Sequence, residues 1–177
     1  MIIIEGANAV GKTTYINEMY PSHLVCRSDT MSEAWVTALQ AAKNPLQLEW
    51  GIPKCILLNK KMYDSAKKLE IEGGDVVLDR SWPSTVVYQF TQKMFDDFLE
   101  YDVDAFCKKY SFLKNADRHI EEMAYDDIII IDAPASVCRK RIKERGEQVQ
   151  KLKYLEAMRD RYLALADSCE FNVVQYS

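Results

Sequence analysis

Residues 2–14 read Ile2-Ile3-Ile4-Glu5-Gly6-Ala7-Asn8-Ala9-Val10-Gly11-Lys12-Thr13-Thr14. An apolar β-branched run stops at a glycine, and Gly6, Gly11, Lys12 and Thr13 then meet the spacing GxxxxGK[ST]. The run predicts a buried strand, and Lys12–Met19 reads as the helix that follows. A strand–loop–helix of this kind turns backbone N–H groups and a helix N-terminus toward one point, where they attract a phosphate. Gly6, Ala7, Asn8, Ala9, Val10, Gly11, Lys12, Thr13 and Thr14 are the candidate cradle. Lys12 is placed to bridge the β- and γ-phosphates of ATP, and the Thr13 hydroxyl to ligate Mg²⁺.

Working outward, four more runs read as strands: Leu24–Arg27, Val76–Asp79, Ile128–Asp132 and a weaker one at Phe171–Gln175. Continuous apolar runs, as opposed to alternating ones, predict strands covered on both faces, as in a parallel sheet. Helical periodicity lies between them, at Lys54–Glu72, Ser84–Leu99 and Ala135–Arg145. Strand alternating with helix predicts an α/β three-layer sandwich. Residues 95–127 are long and mixed, and read as one or two helices with a break near Asn115.

The 177 residues carry a formal net charge of −4. Without a broad basic field, tight non-specific binding to nucleic acid is not expected. Five dispersed cysteines without a CxxC pair read as reduced thiols, not a disulfide frame or a zinc site. The first apolar run is too short for a signal peptide or a membrane span, so the expectation is a cytoplasmic chain with no membrane partner. No repeat or linker divides the sequence, which reads as one domain over residues 1–177.

The phosphate loop alone does not separate kinases from GTPases or motor ATPases. Asn59-Lys60-Lys61-Met62 begins like the base-reading NKxD motif of a GTPase, but Met62 stands where the aspartate belongs. The third strand ends in Asp79-Arg80-Ser81, followed by Ser84 and Tyr88-Gln89. A carboxylate at the end of a strand beside the phosphate-loop strand faces the ligand crevice of an open α/β sheet. There Asp79 can hold Mg²⁺ or accept a proton from an acceptor hydroxyl, and the planar fork of Arg80 suits a phosphate. Arg141 and Arg145, four apart, share one helix face and can clamp the transferred phosphoryl group. They lie in a short lid at about 139–153, with Arg139 as a further candidate contact to ATP.

These motifs resemble the thymidylate kinase family of P-loop nucleoside monophosphate kinases. The likeness lies in Glu5–Thr14, in Asp79-Arg80-Ser81 with Ser84 and Tyr88-Gln89, and in Pro134, Arg141, Arg145-Gly146, Tyr154-Leu155 and Arg161-Tyr162-Leu163. The resemblance implies the strand order 2-3-1-4-5, a homodimer and ATP·Mg²⁺ as cofactor. It implies that Arg80 holds the acceptor phosphate with Arg27 nearby, and that Tyr88 and Gln89 line the nucleoside pocket. It departs at Asn8, where the family has aspartate, and at Arg27-Ser28-Asp29, where the family has Arg-Glu-Pro.

The expected acceptor is a deoxynucleoside monophosphate, dTMP first. Two alternatives stand beside it. One is a deoxynucleoside kinase acting on a 5′-hydroxyl, whose family carries an acidic-Arg-Ser run and needs a carboxylate base such as Asp29 or Asp79. The other is a P-loop kinase acting on a modified nucleotide within DNA, for which the altered acceptor residues leave room and against which the net charge weighs.

Overall fold

The computed structural model describes residues 1–27, 45–124 and 126–176, with side chains left out at 45–48. Five parallel strands form one sheet: β1 (Ile2–Glu5), β2 (Leu24–Arg27), β3 (Val76–Asp79), β4 (Asp127–Asp132) and β5 (Asn172–Gln175). Their order is β2-β3-β1-β4-β5, as the resemblance implies. Helices surround the sheet, so the α/β sandwich read from the alternating pattern is the observed fold.

The three middle strands are buried as their apolar runs require, with Ile3, Ile4, Val77, Leu78 and Ile130 fully enclosed. The outer strands are not. Leu24 and Val25 of β2 and Val173 of β5 are exposed, because an edge strand is covered less completely than a central one. Phe171 lies just before β5, bonded through its N–H to the Ala166 carbonyl at 2.9 Å.

Among the described residues the α-helices are α1 (Lys12–Met19), α2 (Pro45–Ile71), α3 (Trp82–Gln89), α4 (Gln92–Glu100), α5 (Val103–Lys109), α6 (Ala116–Met123), α7 (Ala135–Glu144) and α8 (Leu152–Ser168). The single helix expected over Ser84–Leu99 is two, and the break falls at Phe90-Thr91. Thr91 has extended backbone and its hydroxyl accepts from the Met94 N–H at 3.2 Å. Such a cap is worth about 1 kcal/mol and starts a new helix. Asp102 does the same for α5, accepting from the Ala105 N–H at 2.7 Å. The break near Asn115 is present: this residue takes φ 75° ahead of α6, a left-handed conformation that asparagine tolerates.

Helix α2 begins nine residues before the expected Lys54 and carries Pro53 within it. Asn59, the residue that opens the GTPase-like tetrapeptide, is buried in it and has a structural role. Its amide donates to Thr85 Oγ1 at 2.8 Å and to the Ser81 carbonyl at 3.2 Å, fastening α2 to the start of α3. Lys60 turns instead to Asp64 and Glu122.

Register places the site. Glu5 of β1 and Asp79 of β3 both lie at the C-terminal edge of the sheet, and Arg27 of β2 is level with Asp79. Open α/β sheets bind their ligands outside this edge.

Candidate active site

The loop between β1 and α1 is shaped by two glycines. Gly6 has φ 139°, and a Cβ there would stand 2.4 Å from the Ile131 carbonyl of β4. Gly11, at φ 108°, precedes α1, and a Cβ there would stand 2.7 Å from the Tyr176 ring. Both positions combine a left-handed backbone with no room for a side chain, so only glycine serves. Ala7 and Val10 are buried beneath the loop, while Asn8 and the Thr13 and Thr14 side chains face outward.

Lys12 bends back over the loop, donating to the carbonyls of Gly6 (3.1 Å) and Ala7 (3.3 Å). Burial lowers its pKa to about 7. The Arg80 charge pushes the same way, and Asp79 and Glu5 pull upward. A phosphate here would add to the counter-charge that Asp79 and Glu5 give Lys12.

Asn8, Ala9, Gly11, Lys12, Thr13, Arg27, Asp79, Arg80 and Arg145 line one cleft of ≈ 250 Å³. The sheet edge thus brings together the expected phosphate loop, the β3 carboxylate and arginine, Arg27 and one lid arginine. Asp79 sits 3.7 Å from Arg27 Nε through Oδ2, while its buried Oδ1 has no hydrogen-bond partner among the described residues. An orphaned carboxylate oxygen and an exposed threonine on one cleft are hard-oxygen donors, which fit Mg²⁺.

Arg80 takes φ 78°, uncommon for a residue with a side chain. Its Nη1 donates to Ser84 Oγ at 2.9 Å and Tyr162 Oη at 3.2 Å, and its Nη2 to Asn8 Oδ1 at 3.1 Å. The guanidinium also lies 5.5 Å from the centre of the Tyr88 ring. Ser84, expected at the substrate, points into this network and donates to Glu5 Oε2 at 2.6 Å. The Tyr88 hydroxyl and Gln89 Oε1 are buried without partners among the described residues, and neither residue lines the cleft.

Arg141 and Arg145 share a groove beside the loop with Gly11, Thr14, Glu144 and Tyr176. Arg141 Nη1 donates to the Val10 carbonyl at 2.7 Å and more weakly to that of Ala9 at 3.4 Å. Arg139 is not with them. It lies in a separate basic groove with Lys140, Lys143, Val149 and Leu152. Two residues along a helix rotate the side chain about 200°, so Arg139 and Arg141 face opposite ways. Asp29 falls outside the described residues.

Several site residues were not singled out from the sequence. Glu5 is fully buried, held by the Ser81 N–H, Ser84 and Tyr162. Its signal was a lone carboxylate closing an apolar run, a group that burial forces to find donors. Asp132 ends β4 in the same way and is clamped by Arg159 through two bonds of 2.7 Å, with Gln175 donating at 2.9 Å. Tyr176 covers Gly11, and its hydroxyl donates to Glu18 at 2.6 Å.

The sequence profile of deoxynucleoside kinases matches residues 2–175. The chain belongs to the deoxynucleoside kinase family. Two solved structures share the fold of this deoxynucleoside kinase family member. The deoxyadenosine kinase from M. mycoides with bound dATP superposes with a TM-score of 0.61 at 16% identity, over 98% of this chain and 89% of that one. The same enzyme with bound dCTP gives 0.55 at 16% identity, over 99% and 89%. No curated protein matches by sequence. The family match favours a nucleoside over the monophosphate expected first, and the thymidylate kinase resemblance holds only as far as a P-loop kinase. The Gly-Lys-Thr loop and the Asp79-Arg80 pair fit the patterns of both families, so the sequence points to both.

Proposed function

We propose that this chain transfers the γ-phosphoryl group of ATP to the 5′-hydroxyl of a deoxynucleoside. The observation that carries the reading is the Asp79-Arg80-Ser81 run, inside a chain that the family profile matches almost end to end, placed at the sheet edge beside Lys12. An acidic-Arg-Ser run there supplies what a neutral acceptor needs and a monophosphate does not, a carboxylate near a hydroxyl that must lose its proton.

The donor phosphates lie on the loop from Gly6 to Thr14, where backbone N–H groups and Lys12 meet their charge. Thr13 and Asp79 would hold Mg²⁺, which would supply positive charge against the donor phosphates. Asp79 or Asp29 accepts the 5′-hydroxyl proton. Arg80, fixed by three hydrogen bonds, and Arg145, at the cleft rim, bear on the charge of the transferring group. Arg141 is bonded to the loop backbone and braces it. Tyr88, its ring centre 5.5 Å from the Arg80 guanidinium, supports that arginine from outside the cleft lining.

The test is a mass assay of products from ATP·Mg²⁺ with each deoxynucleoside, and of Asp29→Asn and Asp79→Asn variants. The base should lose at least about 100-fold in kcat, within the range of general-base contributions. If neither variant loses activity, carboxylate base catalysis is wrong.

A further inference from the structure

Half-buried Arg80 and fully buried Glu5 are joined through intermediaries. Between them stand two hydroxyls. Tyr162 Oη donates to Glu5 Oε2 at 3.2 Å, and Ser84 Oγ donates to the same oxygen at 2.6 Å. Both hydroxyl oxygens accept from Arg80 Nη1, at 3.2 and 2.9 Å. With each hydroxyl proton turned to the carboxylate, each lone pair turns to the guanidinium. Nη1 has two N–H bonds and both are used. Asn8 takes one from Nη2, and the other Nη2 hydrogen and the Nε–H have no hydrogen bond in this network. Burial raises the pKa of Glu5 and pushes the Tyr162 phenol well above its ordinary value, so Tyr162 keeps its proton.

The element that carries Tyr162 is fixed independently. On α8, Arg159 grips Asp132 at the tip of β4, and Arg161 Nη1 donates to the carbonyls of Val87 (2.8 Å) and Phe90 (2.9 Å) at the end of α3. Tyr162 itself is 2% exposed. A hydroxyl mounted on a clamped helix gives Arg80 a direction that its own long side chain does not.

We propose that Tyr162 is a positioning residue for phosphoryl transfer: with Ser84 and Glu5 it saturates one end of the Arg80 guanidinium and aims the remaining N–H groups into the cleft. This rests on the reading of the site as a deoxynucleoside kinase. Loss of the hydroxyl removes one of the two anchors on Nη1 and leaves only Ser84 there, which loosens the guanidinium and so weakens an interaction made most strongly in the transition state.

The test is a double-mutant cycle between Tyr162→Phe and Arg80→Lys, with kcat, the KM for ATP and the melting temperature measured for each variant. Lysine keeps the charge and cannot make the two-hydroxyl bridge. Y162F in the wild-type background should lose about tenfold in kcat with KM for ATP changed less than about twofold, and in the R80K background less than about twofold in kcat. An equal loss in both backgrounds, or no loss in either, overturns the proposal.

A second measurement does not need activity. NMR of protein labelled at arginine nitrogen should show a hindered Arg80 guanidinium in the wild type that rotates measurably faster in Y162F. An unchanged Arg80 signal overturns the proposal. A wild type that phosphorylates no nucleoside, yet shows the hindered Arg80, fails the functional reading and leaves the positioning claim standing.

Discussion

Arg80 Nη2 donates to Asn8 Oδ1 at 3.1 Å, joining the end of β3 to the phosphate loop across the mouth of the cleft. A neutral amide at this point orients the arginine and leaves its charge available. An aspartate would form a charge-assisted pair with it.

Asn8→Asp should therefore weaken the grip of Arg80 on an anionic group. The expected effect is a rise of about tenfold in the KM for ATP or a matching fall in kcat/KM, about 1.4 kcal/mol. Asn8→Ala, which removes the bond without adding charge, should cost less than the aspartate. Steady-state kinetics of both variants checks the order.

Gly6→Ala should disable nucleotide binding more thoroughly than any side-chain substitution in the loop. Its added methyl meets the Ile131 carbonyl at 2.4 Å, a backbone atom that cannot step aside without moving β4. Gly11→Ala meets the Tyr176 ring at 2.7 Å, a side chain near the C-terminus that can move. Equilibrium dialysis with ATP should rank Gly6→Ala below Gly11→Ala, and Tyr176→Ala should partly restore the latter.

Lys12→Ala should abolish phosphoryl transfer while the fold persists. The pKa of Lys12, lowered from 10.5 to about 7 by burial first and by Arg80 next, also gives two pH effects. Between about pH 7 and 10.5 the unfolded chain holds more protons than the folded one, so this lysine's contribution to stability rises with pH through that window. Lys12→Met should remove that rise in a pH series of thermal melts. Nucleotide phosphates re-protonate the amine, so ATP binding at pH 8 should take up a proton, by calorimetry in buffers of different ionisation heat. Lys12→Met should take up none.

Breaking the Asp132–Arg159 clamp should cost about 2 kcal/mol, the range for losing charge-assisted hydrogen bonds to a buried carboxylate. Asp132 is 3% exposed and its pKa is lowered, first by its hydrogen bonds with Arg159. The clamp's contribution is present above the ordinary carboxylate value of 3.8 and is lost as pH falls through the lower folded value. Denaturant melts of Arg159→Met at pH 7 should show the loss, and Asp132→Asn in the same chain should recover part of it.

The sheet was legible because each strand is a short apolar run with a clear end, and the phosphate loop because its chemistry fixes a spacing. The break between α3 and α4 was not, since Phe90-Thr91 interrupts neither apolar periodicity nor composition and only the Thr91 cap reveals it. The cleft was legible where a residue sits at a strand end, as Asp79 and Arg80 do. Arg139 lies in a different groove from Arg141 and Arg145, because residues two apart on a helix point opposite ways and the sequence cluster does not show it. Tyr162 was quoted only as part of a motif, because its partners Glu5, Ser84 and Arg80 lie 157, 78 and 82 residues away. Long-range hydroxyl bridges leave no local pattern to read.

The central claim is that the acceptor is a nucleoside hydroxyl. The wild-type protein, incubated with ATP·Mg²⁺ and a panel of deoxynucleosides and their monophosphates, should yield a deoxynucleoside monophosphate and ADP, identified by mass. Diphosphate formed from a monophosphate with every nucleoside left unchanged would contradict it.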